Sequence, residues 1–79
     1  MGVPVTVRYW AGARRAAGHA EETVTAADIA GLRDQLALRA ALRDVVAVAS
    51  FLVDAKPSSD TTTLYAGAVV DVLPPFAGG

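Results

Sequence analysis

The chain contains no cysteine, which excludes disulfides, thiolate metal sites and a thiol nucleophile, and makes a reducing compartment its natural home. Charge is scarce: 19% of residues carry one, the net charge is −1 and the pI is about 5.6. No positive field draws a phosphate backbone, so nucleic acid is not an expected partner. No apolar run approaches the roughly 18–20 residues that span a bilayer, and the chain does not start with a charged segment followed by an apolar signal core. A cytoplasmic protein without a membrane partner is expected. Met1-Gly2-Val3-Pro4-Val5-Thr6 fits the loose myristoylation pattern, but its valines fall where a strand must bury them. The single histidine, His19, sits in a glycine-bounded connector with no clustered carboxylates, so no metal site is expected.

Candidates for side-chain catalysis are equally thin. Glu21-Glu22 suits a hairpin tip and Asp28 with Asp34 suits a helix cap and its exposed face, and neither pair needs a pocket. No nucleophile triad or phosphate-cradling glycine loop is present. Arg8, Arg14 and Arg15 are scattered charges of the solubilising kind. Lys56, the only lysine, falls in a loop of turn-forming residues.

What the chain does have is apolar residues in quantity. With 79 residues, 53% of them hydrophobic, it folds around one small core. Such a core seldom supplies more than about 3–5 kcal/mol, so a supporting partner is natural. Val3, Val5, Val7 and Tyr9 alternate with Pro4, Thr6, Arg8 and Trp10, the period of a strand with one buried face. A proline is tolerated there only near the strand start or at an edge. Gly12 and Gly18 then bracket a connector with room for one helical turn. Residues 20–24 form a short polar strand. Thr25-Ala26-Ala27-Asp28 resembles a capping box, and from Ala26 to about Leu38 the positions of Ile29, Leu32 and Leu36 define one helical face. Gly31 weakens that helix by about 1 kcal/mol relative to alanine, and the alanine-rich stretch through Leu42 leaves its far end open. Residues 50–54 form a third strand, Lys56-Pro57-Ser58-Ser59-Asp60 a turn, and Val69-Val70-Asp71-Val72-Leu73 a buried strand. The order strand, strand, helix, strand, strand predicts an α+β fold, a mixed sheet gripping one main helix with the last strand central.

The last residues, Pro74-Pro75-Phe76-Ala77-Gly78-Gly79, differ from everything before them. The prolines stop the strand and favour an extended path without internal hydrogen bonds. Phe76 is a large apolar group at the exit from the domain, costly to leave in water unless a partner receives it. Ala77, Gly78 and Gly79 narrow to bare backbone, which passes through a tight channel and closely approaches a nucleotide or substrate. A terminal Gly-Gly alone is no more than a frayed end; following a proline pair and an aromatic, it predicts a flexible tail, 74–79, on a domain spanning 1–73. Its working group is the Gly79 carboxylate. A carboxylate is a poor acceptor, but linkage to AMP yields an acyl-adenylate that a sulfur nucleophile attacks.

Three segments, Val7-Arg8-Tyr9-Trp10-Ala11-Gly12-Ala13-Arg14, Ser50-Phe51-Leu52-Val53-Asp54 and Val70-Asp71-Val72-Leu73-Pro74-Pro75-Phe76-Ala77-Gly78-Gly79, resemble the MoaD family, the small subunits of molybdopterin synthase. The likeness runs over nearly the whole chain and is weakest at residues 38–48. It implies a ubiquitin-like β-grasp fold and a sulfur carrier for molybdenum cofactor biosynthesis. Gly79 would be adenylated by a ubiquitin-activating-type enzyme using ATP, converted to a thiocarboxylate, and inserted into a large, MoaE-like subunit that places the sulfur on a cyclic pyranopterin. The resemblance further implies a heterotetramer with that subunit, no bound cofactor, and no catalysis by this chain alone. Pro74, Pro75, Phe76, Ala77 and Gly78 would contact the partners. Two positions depart from the family pattern: Ala55, where a glycine is frequent, and Ala68, where an acidic residue is common. A carrier for thiamine or cysteine synthesis shares the fold and the ending, and a protein modifier would use the same adenylation to form an isopeptide bond.

Overall fold

The computed structural model describes residues 2–75. The alternating valines form β1 (Val3–Tyr9), followed by α1 (Ala11–Ala17), β2 (Glu21–Ala26), α2 (Ile29–Ala37), α3 (Ala40–Val48), β3 (Ser50–Val53), the two-residue β4 (Lys56–Pro57) and β5 (Val69–Leu73). The five strands lie in one sheet in the order β2-β1-β5-β3-β4. β1 runs parallel to β5 and the other pairings are antiparallel. The expected mixed sheet with the last strand central is the observed one, and the architecture is the β-grasp.

Pro4 sits where its missing N–H costs nothing. Its side of β1 faces β5, but that ladder begins only at Thr6 opposite Val69, and the Pro4 carbonyl accepts from the Gly67 N–H at 2.9 Å. Gly67 turns the chain into β5 with φ of 89°, a conformation favouring glycine.

Val5, Val7 and Tyr9 of β1, Phe51 of β3 and Val70 and Val72 of β5 point to one face of the sheet, and the helices cover them with Ile29, Leu32, Leu36, Leu42 and Val46. α2 begins one turn later than the capping-box signal. β2 continues through Ala26, and Asp28 is the cap, its Oδ1 accepting from the Gly31 N–H at 2.7 Å. The same contact accounts for Gly31, because a Cβ there would stand 3.1 Å from that oxygen.

The open end of this helix resolves into a break and a second helix. No glycine or proline marks the break, so the cause is tertiary. In one continuous helix Leu42, six residues after Leu36, would lie about 240° around the axis, away from the core face. An extended Arg39, with φ −82° and ψ 120°, restarts the helix and returns Leu42 and Val46 to the core. The Arg39 side chain pairs with Glu22, which also accepts from the Tyr9 hydroxyl at 2.5 Å. Arg33 makes a comparable tie, stacked 4.5 Å from the Phe51 ring centroid and donating to the main-chain carbonyls of Val46 and Ala49.

The turn between β3 and β4 falls at Asp54 and Ala55, both left-handed with φ of 49° and 67°. Two-residue hairpins of this kind favour glycine second, which is where the resemblance noted a departure. Replacing Ala55 by glycine is expected to raise stability by about 0.5–1 kcal/mol, read as a higher urea midpoint; a lower midpoint would show that alanine carries no strain there.

Candidate functional site

The tail leaves from the middle of the sheet, because β5 is central and ends at Leu73. Pro74 is half-buried and Pro75 exposed, neither in regular structure. The expectations for Phe76, Ala77, Gly78 and Gly79 fall outside the described residues.

The described surface at the root of the tail is the open face of the sheet. Alternation places Arg8, Asp71 and Leu52 there, and the register aligns them with Glu21 and Pro57 in one row across all five strands. Asp71 is 4% exposed, the only buried charged residue among those described. Both oxygens of its carboxylate are engaged: Oδ1 accepts from Arg8 Nε at 2.7 Å and Trp10 Nε1 at 2.9 Å, and Oδ2 from Arg8 Nη2 at 3.2 Å. The Arg8 guanidinium also stands 5.7 Å from the Trp10 ring centroid. Arg14 and Arg15, grouped with Arg8 as scattered charges in the sequence, lie elsewhere, on α1 beside the exposed His19 around a shallow depression. They do not join Arg8.

Electrostatics follow from these partners. The hydrogen bond from Arg8 holds the Asp71 carboxyl below its ordinary range, against the opposing effect of burial, and Trp10 adds to the lowering. Asp71 in turn raises Arg8. Glu22 is lowered by the hydrogen bond from Arg39, against burial, with help from Tyr9, and burial followed by the bond to Glu22 raises the Tyr9 hydroxyl. The unfolded chain takes up its carboxylate protons near pH 4, whereas the folded chain resists until lower pH. Stability from Asp71 and Glu22 is therefore complete at neutral pH and lost as pH falls through and below that range. Urea unfolding should show a midpoint dropping from about pH 5 downward, and Asp71→Asn should flatten part of the slope; an unchanged slope would remove Asp71 from the account. The effect is modest, because the Arg8 side chain is 45% exposed and solvent screens the pair.

Sequence reasoning passed over Asp71 and Trp10 as site residues. The available signal was one charge inside the β-branched strand Val69-Val70-Asp71-Val72-Leu73, a place that an unpaired carboxylate does not occupy cheaply.

Comparison with known proteins places these features. The ThiS family model matches residues 7–79. No curated protein matches the chain. Among solved structures, a protein assigned as molybdopterin converting factor subunit 1 from Pyrococcus furiosus is 27% identical, with a TM-score of 0.83 over 94% of this chain and 99% of that one. Two more distant structures share the fold. A chain in the complex of subunits 1 and 2 of molybdopterin-converting factor from Helicobacter pylori is 24% identical, with a TM-score of 0.77 over 98% of this chain and 100% of that one. The small archaeal modifier protein 1 of Methanosarcina acetivorans is 20% identical, with a TM-score of 0.82 over 100% and 99%.

Proposed function

Because the chain belongs to the ThiS family of ubiquitin-like sulfur carriers, we propose that Gly79 carries sulfur for molybdopterin synthesis. The observation that carries this reading is a family match extending through residue 79, onto an ending of prolines, an aromatic and bare backbone that follows the central strand. The likeness to a molybdopterin converting factor subunit, at 27% identity, and the Pro-Pro-Phe-Ala segment favour the pterin pathway over thiamine or cysteine synthesis.

The chemistry uses the backbone terminus alone. An oxygen of the Gly79 carboxylate attacks the α-phosphorus of ATP on an adenylating partner, pyrophosphate leaves, and an acyl-adenylate forms. A donor at the oxidation level of sulfide attacks the acyl carbon and expels AMP, leaving a thiocarboxylate. Pro74, Pro75, Phe76, Ala77 and Gly78 then guide that group into a large subunit. There the sulfur passes to a cyclic pyranopterin, and water restores the carboxylate. Lacking cysteine, the chain has no thiol to divert the activated carbonyl.

The test is intact-mass spectrometry after incubation with the adenylating enzyme, ATP and a sulfide source. The expected result is one oxygen exchanged for sulfur at Gly79, reversed on adding the large subunit and the pterin. Absence of exchange ends the carrier reading. Exchange without transfer to the pterin, or covalent adducts on lysines of other proteins, redirects it to another pathway or to protein modification.

A further inference from the structure

The two edges of the sheet are built differently. At one edge β4 is only two residues long, a lysine and a proline, and shortness, lysine and proline are the devices that keep an edge from pairing with another chain. At the other edge β2 runs for six residues, Glu21–Ala26, and carries neither. We propose that β2 is the interface of a transient two-fold dimer, in which a second copy of this chain adds its own β2 antiparallel to the first, with Thr23 opposite Thr23. The proposal stands independently of the carrier chemistry.

The ladder with β1 decides which main-chain groups of β2 are free. The Tyr9 N–H donates to the Ala20 carbonyl at 2.9 Å, and in the antiparallel register the bonded pairs then fall at Val7 with Glu22 and Val5 with Val24. Glu21, Thr23 and Thr25 therefore direct their N–H and C=O groups away from the sheet. The side chain of Gln35 agrees with this, since its amide donates to the Thr25 carbonyl from outside the ladder. The remaining outward groups of these three residues have no partner among the described residues. In the proposed register Thr23 exchanges both of its bonds with Thr23 of the second copy. The Thr25 N–H meets the Glu21 carbonyl, in both directions, and Gln35 is left undisturbed.

The side chains select the same register. With Thr23 on the axis, Glu21 faces Thr25 and Glu22 faces Val24, so no two carboxylates are opposed. A slip of two residues one way sets Glu22 against Glu22, and a slip the other way loses the Glu21 pairs. Leu38 adds an apolar contact. Gln35 and Arg39 both reach β2, through Thr25 and Glu22, and Leu38, three residues after Gln35, shares their flank of the helix. It is 81% exposed, more than any other large hydrophobic residue among those described. Pairing about a two-fold axis keeps both helical layers on one side of the joined sheet, where the two copies of Leu38 cover the half-buried Val24. β1 separates β2 from β5, so the dimer leaves Leu73, where the tail begins, uncovered.

A contact of one strand is small, below the roughly 1,200 Å² at which stable complexes begin, and it is a transient one. Sedimentation equilibrium of the full chain is expected to show the mass rise from 8.1 kDa towards twice that value as concentration increases from about 10 µM to 1 mM. Thr23→Pro removes an outward N–H and spares the β1 ladder. It is expected to weaken association by at least about 10-fold, because the bond is lost from both copies, with the circular dichroism spectrum unchanged. A second measurement does not depend on that variant folding. The chain has no cysteine, so Thr23→Cys and Glu21→Cys each carry a single thiol. Facing residues on the axis stand about 5.5 Å apart, within reach of a disulfide, whereas Glu21 and its counterpart lie about 14 Å apart along the strands. With oxidised glutathione, Thr23→Cys is expected to give the cross-linked dimer at least about 10-fold faster than Glu21→Cys. A wild-type chain that stays monomeric at 1 mM overturns the proposal. So does equal cross-linking of the two cysteine variants, or a folded Thr23→Pro chain that associates as wild type does.

Discussion

Deletion of Gly79 is expected to lower sulfur loading by at least about 100-fold while leaving the melting temperature unchanged. The shortened chain still ends in a glycine carboxylate, so the reacting group is chemically the same. Its position is not: one residue of extended chain spans about 3.3–3.6 Å. A misplacement of even about 1 Å at a reacting centre costs on the order of 100-fold. Among the described residues the buried core runs from Val5 to Val72, which is why the melting temperature is expected to hold. Gly78→Val tests the proposed close approach of the tail to its partner by bulk instead of length, adding a branched side chain to bare backbone. Loading at the wild-type rate by either variant would show that the reaction tolerates slack in the tail.

Leu32→Ala is expected to leave the domain largely unfolded. Leu32 is fully buried on α2, within the cluster that covers the sheet. Truncating a leucine in such a site costs about 2–5 kcal/mol, the removed methyl groups and the residual cavity both contributing. A domain of this size has only about 3–5 kcal/mol to lose. Circular dichroism during urea unfolding measures the outcome. A loss under about 1 kcal/mol would mean that neighbours close the cavity. Of the substitutions considered, this one removes function by removing the structure, whereas the tail variants remove function from an intact fold.

These expectations differ in how far the sequence alone supported them. Strand alternation from Val3 to Tyr9 and the helical spacing of Ile29, Leu32 and Leu36 were legible because each pattern fits one backbone period and the structure buries the indicated face. The central place of Val69–Leu73 followed from its continuous β-branched character. The break at Arg39 was not legible, because alanine, leucine and arginine all favour continuing a helix; a non-local demand on Leu42 and Val46 overrode that preference. Nor was the two-residue strand at Lys56–Pro57, which exists only through pairing with Leu52 and Val53. Asp71 was missed for a related reason. Its partners lie 63 and 61 positions away, and only the parallel alignment of β1 with β5 brings them together.

That alignment bears on how the molecule comes into being. The strand at the middle of the sheet is the last of the described strands along the chain, so its pairings with β1 and β3 form only after it has emerged. Contacts between such distant stretches of chain form late and close large loops. A product of interrupted translation, ending before residue 69, lacks the centre of its sheet and cannot assemble the remainder. Copies cut short before that strand therefore fail to fold, whereas the loss of Gly79 alone is expected to leave the sheet complete.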